Sequence, residues 1–151
     1  MFLIALVPVE LLRISPPGGS YHLPAEGPVD AVCLVGGIGI TPMMAMVRQL
    51  QAEGLRPFKL YYFTRDPEGT AFLDDLRAPE LAGQVIIHHD HGDPARSFDL
   101  WKIFEKVATG THVYCCGPKG LMDTVKNQSQ WKTRRPAKYC GKSLTPTPRM
   151  A

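Results

Sequence analysis

Along the chain, short apolar runs alternate with segments whose apolar residues recur at helical spacing. Ala31-Val-Cys-Leu-Val35 is an apolar run closed by Gly36-Gly37, with the length of a buried strand. From Thr41 to Glu53, Met43, Met44, Met46, Val47 and Leu50 fall at helical spacing, and Pro42 suits the first turn. Phe58–Phe63 and Gln84–His89 read as a second and a third strand, and residues 111–116 as a fourth. Thr70–Arg77 and Lys119–Gln128 read as helices, as does Phe98–Val107, whose Leu100, Ile103, Phe104 and Val107 form one stripe. This rhythm predicts an α/β fold, a Rossmann-like three-layer domain with a parallel sheet of at least four strands. Right-handed crossovers bring the carboxyl ends of the strands to one edge, where ligands bind in such folds.

Composition narrows the class. With 44% hydrophobic and 21% charged residues in a chain of 151, a globular core is expected and wholesale disorder is not. The four cysteines are Cys33, Cys115, Cys116 and Cys140. Two are adjacent and none stands in a Cys-x-x-Cys pair, so neither a secreted disulfide framework nor a zinc ribbon is supported. A reducing, cytoplasmic setting is expected. The apolar stretch Met1–Leu12 is too short to span a bilayer, which takes ~20 residues. It has no basic leader region, so neither a membrane anchor nor a signal peptide is expected.

The net charge of +3 hides a split. Residues 124–151 hold seven of the seventeen bases and none of the acids, so in residues 1–123 ten bases face all fourteen acids, a net of −4. The basic segment loses apolar periodicity and gains Pro136, Pro146 and Pro148. An irregular basic tail is expected over 131–151, leaving a strand edge open beside it. A basic run without a nucleic-acid-binding motif does not argue for a nucleic-acid partner.

The candidate chemistry lies in three loops at strand ends. The first is Gly36-Gly37-Ile38-Gly39-Ile40-Thr41-Pro42, running from a strand into a helix. Glycines allow close backbone approach and positive φ, and the helix start offers N–H groups and a positive dipole end to a phosphate. Pro42 stands where the standard dinucleotide fingerprint has its third glycine. The second loop is Thr64-Arg65-Asp66-Pro67, where a βαβ unit places the adenosine ribose. A carboxylate there accepts ribose hydroxyls and a cation favours a 2′-phosphate; both are present. The third loop is Cys115-Cys116-Gly117-Pro118.

Together, Leu34-Val-Gly-Gly-Ile-Gly-Ile-Thr-Pro-Met43, Tyr62-Phe-Thr-Arg-Asp-Pro67 and Val113-Tyr-Cys-Cys-Gly-Pro-Lys-Gly-Leu-Met122 resemble the pyridine-nucleotide domain of the ferredoxin–NADP reductase superfamily. Within it they resemble the branch of oxygenase reductases that holds the phthalate dioxygenase and vanillate demethylase reductases. The resemblance implies a domain that binds NAD(H), in a protein that passes electrons from NADH through FMN and a [2Fe–2S] centre to an oxygenase. It implies that Gly36, Gly37, Gly39, Thr41 and Pro42 lie along the pyrophosphate and nicotinamide, and that Cys116, Gly117 and Pro118 border the nicotinamide, with Cys116 the candidate catalytic residue. Thr64, Arg65 and Asp66 would flank the adenosine ribose, and Asp66 would favour NADH over NADPH.

Departures from that pattern complete the reading. The family's Arg-x-Tyr-Ser flavin motif and its Cys-x4-Cys-x2-Cys array are not in the 151 residues. The sequence therefore reads as a shortened member. Residues 1–28 would be the end of a flavin-binding β-barrel plus linker, 29–130 the nucleotide domain and 131–151 the tail. The alternative is a non-catalytic domain that at most binds a nucleotide. Cys140-Gly-Lys-Ser143 lacks the preceding glycine of a P-loop, because Pro136 occupies that position. His88-His89-Asp90-His91 alternates faces on a strand, so it reads as a polar strand end and not as a metal site. Asn127-Gln-Ser129 fits a glycosylation sequon, which has no meaning without a secretory signal.

Overall fold

β1 (Ala31–Gly36) is buried from end to end. It runs through the middle of a parallel sheet made with β2 (Phe58–Thr64), β3 (Val85–His89), β4 (His112–Cys116) and β5 (Lys138–Tyr139), in the order β3-β2-β1-β4-β5. A central parallel strand is covered on both faces, which is why its sequence is a continuous apolar run. The computed structural model describes residues 30–54, 57–132 and 138–139.

Alternate β1 side chains feed two cores. Ala31, Cys33 and Val35 pack with α1 (Ile40–Glu53) through Met43, Met44, Val47 and Leu50, and with Leu60 and Tyr62 of β2. Val32 and Leu34 pack on the other face with Ile103 and Phe104 of α3 (Trp101–Phe104) and Val125 of α4 (Lys119–Lys132). Each fully buried side chain of this kind contributes roughly 1.5–3 kcal/mol. α1 ends at Gly54, whose φ of 60° suits glycine and whose N–H returns to the Leu50 carbonyl at 3.1 Å.

The chain leaves β1 outward through β2 to β3, then returns to β4 on the other side of β1. That reversal makes a topological switch point between the carboxyl ends of β1 and β4.

Three expectations are corrected. The helix expected over Thr70–Arg77 is one turn, α2 (Leu73–Leu76), because Phe72 at φ 58° precedes it and the Thr70 hydroxyl is bonded back into the preceding turn. The helix expected over Phe98–Val107 shrinks to α3. Asp99 Oδ1 accepts the Trp101 N–H at 3.0 Å and starts the helix there, while the Phe98 ring packs on Tyr61, Phe63 and His88.

The third correction concerns residues 131, 132, 138 and 139, which fall in the segment expected to be irregular. α4 continues to Lys132, and β5 pairs Tyr114 with Lys138 and Cys115 with Tyr139. Ladder pairing uses backbone groups that Lys138 and Tyr139 both carry; only proline lacks the donor, and Pro136 falls outside the pair. The missing apolar alternation therefore did not prevent a fifth strand, and β4 is paired where an open edge was expected. The expected barrel remnant at 1–28 and Cys140–Ser143 lie outside the described residues.

Candidate functional site: a cleft at the carboxyl edge of the sheet

At the switch point the first and third loops touch through bare backbone. A Cβ on Gly39 would stand 2.2 Å from the Cys116 carbonyl oxygen, and a Cβ on Gly117 would stand 2.8 Å from the Gly36 nitrogen. A Cβ on Gly36 would meet the Pro118 ring at 2.7 Å. These glycines are needed for the loops to approach each other. Gly37 differs: its φ is 51° and a Cβ there would meet nothing within 4 Å, so it faces open space. Gly37–Gly39 form a 3-10 turn that leads into α1, whose start carries neither a side-chain cap nor an acidic residue. Ile38 projects from this turn, 71% exposed.

Beside the switch point lies a cleft of about 630 Å³. Gly37 and Pro118 border it at one end and Thr64, Arg65 and Asp90 at the other. Its apolar wall is built from Phe63, His88 and Phe98, with the Phe98 ring centroid 5.5 Å from Phe63 and 5.3 Å from His88. Gly120, Thr124 and Gln128 line the opposite wall at a spacing of four, one face of α4. Arg65 is the one lysine or arginine among the described residues that line it. Asp90 and Asp99 also line it, but each has Oδ1 accepting a nearby backbone N–H, from Gly92 and Trp101.

Of the residues singled out from sequence, Gly37, Thr64, Arg65 and Pro118 line this cleft. Gly36, Gly39 and Gly117 form the loop contact behind it. Thr41, Pro42, Asp66 and Cys116 are not among its lining residues. Asp66 Oδ1 accepts the Gly69 N–H at 2.7 Å, closing its own turn, so Oδ2 is the oxygen left to face a ribose. Cys116 is half-buried and packs against the α1-side core, with its carbonyl pressed on Gly39.

Burial pushes the thiols of Cys33 and Cys115 up to about 12, with the neighbouring Cys116 adding to the second. Burial also raises the phenols of Tyr61 and Tyr62; the Ala71 N–H on the Tyr62 oxygen works the other way. His88 Nε2 lies 2.7 Å from the Arg96 carbonyl and His89 Nδ1 lies 2.8 Å from Thr64 Oγ1. Among the described residues no group of three or more His, Cys, Asp or Glu side chains is placed to hold a metal ion. Also among them, no helix is long and apolar enough to cross a membrane.

Sequence reasoning missed Phe98 and His88 as lining residues of the cleft, and His89 as the partner of Thr64. Phe98 sat beside a helical stripe, and its Asp99 neighbour, a good helix-start residue, was the signal that could have moved the helix start beyond it.

No family model matches the chain. It is 61% identical over 98 residues to phthalate dioxygenase reductase of Burkholderia cepacia, covering 65% of this chain and 30% of that protein. It is 49% identical over 116 residues to the phthalate 4,5-dioxygenase oxygenase reductase subunit of Pseudomonas putida, covering 77% of this chain and 36% of that one. The chain thus spans about a third of the length of these relatives. A solved phthalate dioxygenase reductase, described as a modular structure for electron transfer from pyridine nucleotides to [2Fe–2S], superposes with a TM-score of 0.75 at 50% identity, over 83% of this chain and 40% of that one. The α/β unit built on β1 to β5 thus has a ferredoxin reductase-like fold, and over this unit the chain is similar to the reductase components of phthalate-oxidising oxygenases.

Proposed function

We propose that this domain binds NADH in the cleft beside the switch point and presents its nicotinamide to a flavin. The observation that carries the reading is the cleft itself. It runs from Gly37, open and at positive φ, to the lone cation Arg65, with an aromatic wall between glycine loop and ribose loop. The residues present suit such a ligand. Gly37 and the uncapped start of α1 offer backbone donors beside a phosphate. Phe98 and Phe63 offer apolar surface to a base. Gln128 Oε1 is a buried acceptor on the cleft wall with no hydrogen-bond partner among the described residues, and an exocyclic amine supplies the donor it lacks.

The chain's own part in the chemistry is positioning. The Gly39–Cys116 contact fixes the height of the glycine loop against the third loop, and with it the distance from nicotinamide to any group held above the sheet edge. Cys116 and Gly117 would border the nicotinamide from that third loop. A flavin held there supplies the hydride acceptor. In the whole protein the electrons would continue through FMN and a [2Fe–2S] centre to a ring-hydroxylating or demethylating oxygenase. The sequence carries the motif for neither group, so both would be held by other parts of that protein.

Calorimetric titration of the 151-residue chain with NADH tests this directly. Saturable binding that is lost in Gly37→Val is expected. Absence of binding in the native chain, or full affinity in Gly37→Val, would overturn the assignment to this cleft.

A further inference from the structure

Three side chains and one backbone carbonyl beneath Arg65 form a hydrogen-bond chain whose direction is forced by counting protons. Thr70 Oγ1 lies 2.7 Å from the Asp66 carbonyl, which can only accept, so the single Thr70 hydroxyl proton is spent there. Thr64 Oγ1 lies 2.8 Å from Thr70 Oγ1 and must therefore donate to it. That spends the single proton of Thr64. His89 Nδ1, 2.8 Å from Thr64 Oγ1, is left as the donor. Strand register explains the last step: Thr64 and His89 stand opposite each other in the β2–β3 ladder, so their side chains emerge side by side.

The chain clamps the backbone on which Arg65 stands. The Thr64 side chain is held by His89 and Thr70, the Asp66 carbonyl by Thr70, the Asp66 carboxylate by the Gly69 N–H, and the Arg65 carbonyl by the His91 N–H at 2.8 Å. Arg65 itself enters no ion pair within the clamp and lines the cleft. Thr64 also lines the cleft, but its proton is already committed and cannot be given to a ligand.

We propose that His89, in its Nδ1–H tautomer, is a positioning residue that sets Arg65 for an anionic nucleotide through Thr64, Thr70 and the Asp66 turn. The effect on ligand affinity rests on the nucleotide reading above; the tautomer does not. His89 touches no ligand in this scheme and acts only through the rim. Asn places an amide N–H where Nδ1–H stands, whereas Phe keeps ring volume and removes the donor.

The experiment has two arms on the full chain. In nitrogen-15 spectra of the native protein above the histidine titration range, Nδ1 of His89 is expected to carry the proton and Nε2 to be bare. A protonated Nε2 with bare Nδ1 would overturn the proposal, and this arm needs no nucleotide. In the second arm ADP is titrated into native, His89→Phe, His89→Asn, Arg65→Gln and the Phe/Gln double variant. His89→Phe should weaken ADP about tenfold and His89→Asn less than threefold. In the Arg65→Gln background His89→Phe should have no further effect, because the coupling runs through Arg65. Equal losses in the Asn and Phe variants, or additive losses in the double variant, would overturn it. Failure of the native chain to bind ADP, with the Nδ1–H tautomer present, would remove the nucleotide reading and the affinity claim and leave the hydrogen-bond chain standing.

Discussion

The Tyr62 hydroxyl donates to the Gly37 carbonyl across 3.3 Å, and accepts from the Ala71 N–H on its other side. One phenol thus ties the glycine loop after β1 to the loop after β2. Its ring is 1% exposed, so the tie is made from inside the core. Tyr62→Phe keeps the packing and removes the bridge. A loss of about 1 kcal/mol is expected, the usual net worth of one hydrogen bond. The Ala71 amide should exchange faster in deuterium while core amides of β1 do not change.

The loop glycines should rank by what a Cβ would meet. Gly39→Ala sets a methyl against the Cys116 carbonyl, backbone against backbone, and should cost about 1–3 kcal/mol or more. Gly37→Ala meets only open space but keeps φ at 51°, so roughly 1 kcal/mol of conformational strain is expected. Urea unfolding of the two variants gives the order. A Gly37→Ala loss as large as that of Gly39→Ala would mean the loops do not pack as described.

Alkaline pH should destabilise the fold through its buried acids. Cys33 and Cys115 keep their protons up to about 12 when folded, whereas an unfolded thiol loses its proton near 8.5. Between these values the unfolded chain binds fewer protons than the native one, so stability is complete below pH ~8 and falls as pH rises. Each thiol contributes a slope approaching about 1.4 kcal/mol per pH unit. Tyr61 and Tyr62, also raised by burial, add to the fall above pH ~10. Denaturant midpoints measured from pH 7 to 10.5 should steepen accordingly, and Cys33→Ala should flatten the curve by one thiol.

Nucleotide preference should turn on the Arg65–Asp66 pair. NADH is expected to bind more tightly than NADPH, with the Asp66 carboxylate repelling a 2′-phosphate. Asp66→Asn keeps an oxygen for the Gly69 N–H while removing the charge, so it should narrow the ratio severalfold without lowering the melting temperature appreciably. Arg65→Gln should widen it. Titrations of the three proteins with both nucleotides decide the matter; tighter binding of NADPH by the native chain would show that Arg65 governs the site.

Much of the fold was legible because it follows from periodicity. The apolar run of β1 and the Met43–Leu50 face of α1 each obey one local rule, and the structure places them in the core. What could not be read depends on register between distant segments. Thr64 and His89 are 25 residues apart and meet only because Phe63 pairs with His88 and Thr64 with His89. The same holds for Gly39 and Cys116, whose contact explains a glycine that sequence alone assigns to a ligand. β5 was missed for the opposite reason: a two-residue ladder needs only backbone groups and leaves no pattern in its side chains. Arg65 and Asp66 were both legible as ribose-loop candidates, with Asp66 expected to favour NADH; that the Gly69 N–H draws one Asp66 carboxylate oxygen into its own turn was not.

The contact of Gly39 with the Cys116 carbonyl, and of Gly117 with the Gly36 backbone, also sets rules for exchanging parts between relatives. At these two contacts neither loop offers a side chain that could absorb a change in the other, and neither Gly39 nor Gly117 can gain a methyl without displacing its neighbour. Transplanting one loop from a reductase with different specificity should therefore give a misfitted edge, whereas moving Gly36–Pro42 together with Cys116–Pro118 carries the matched surface across. For anyone recombining such domains, the smallest portable unit is this pair of loops, although some 75 residues of chain separate Gly39 from Cys116.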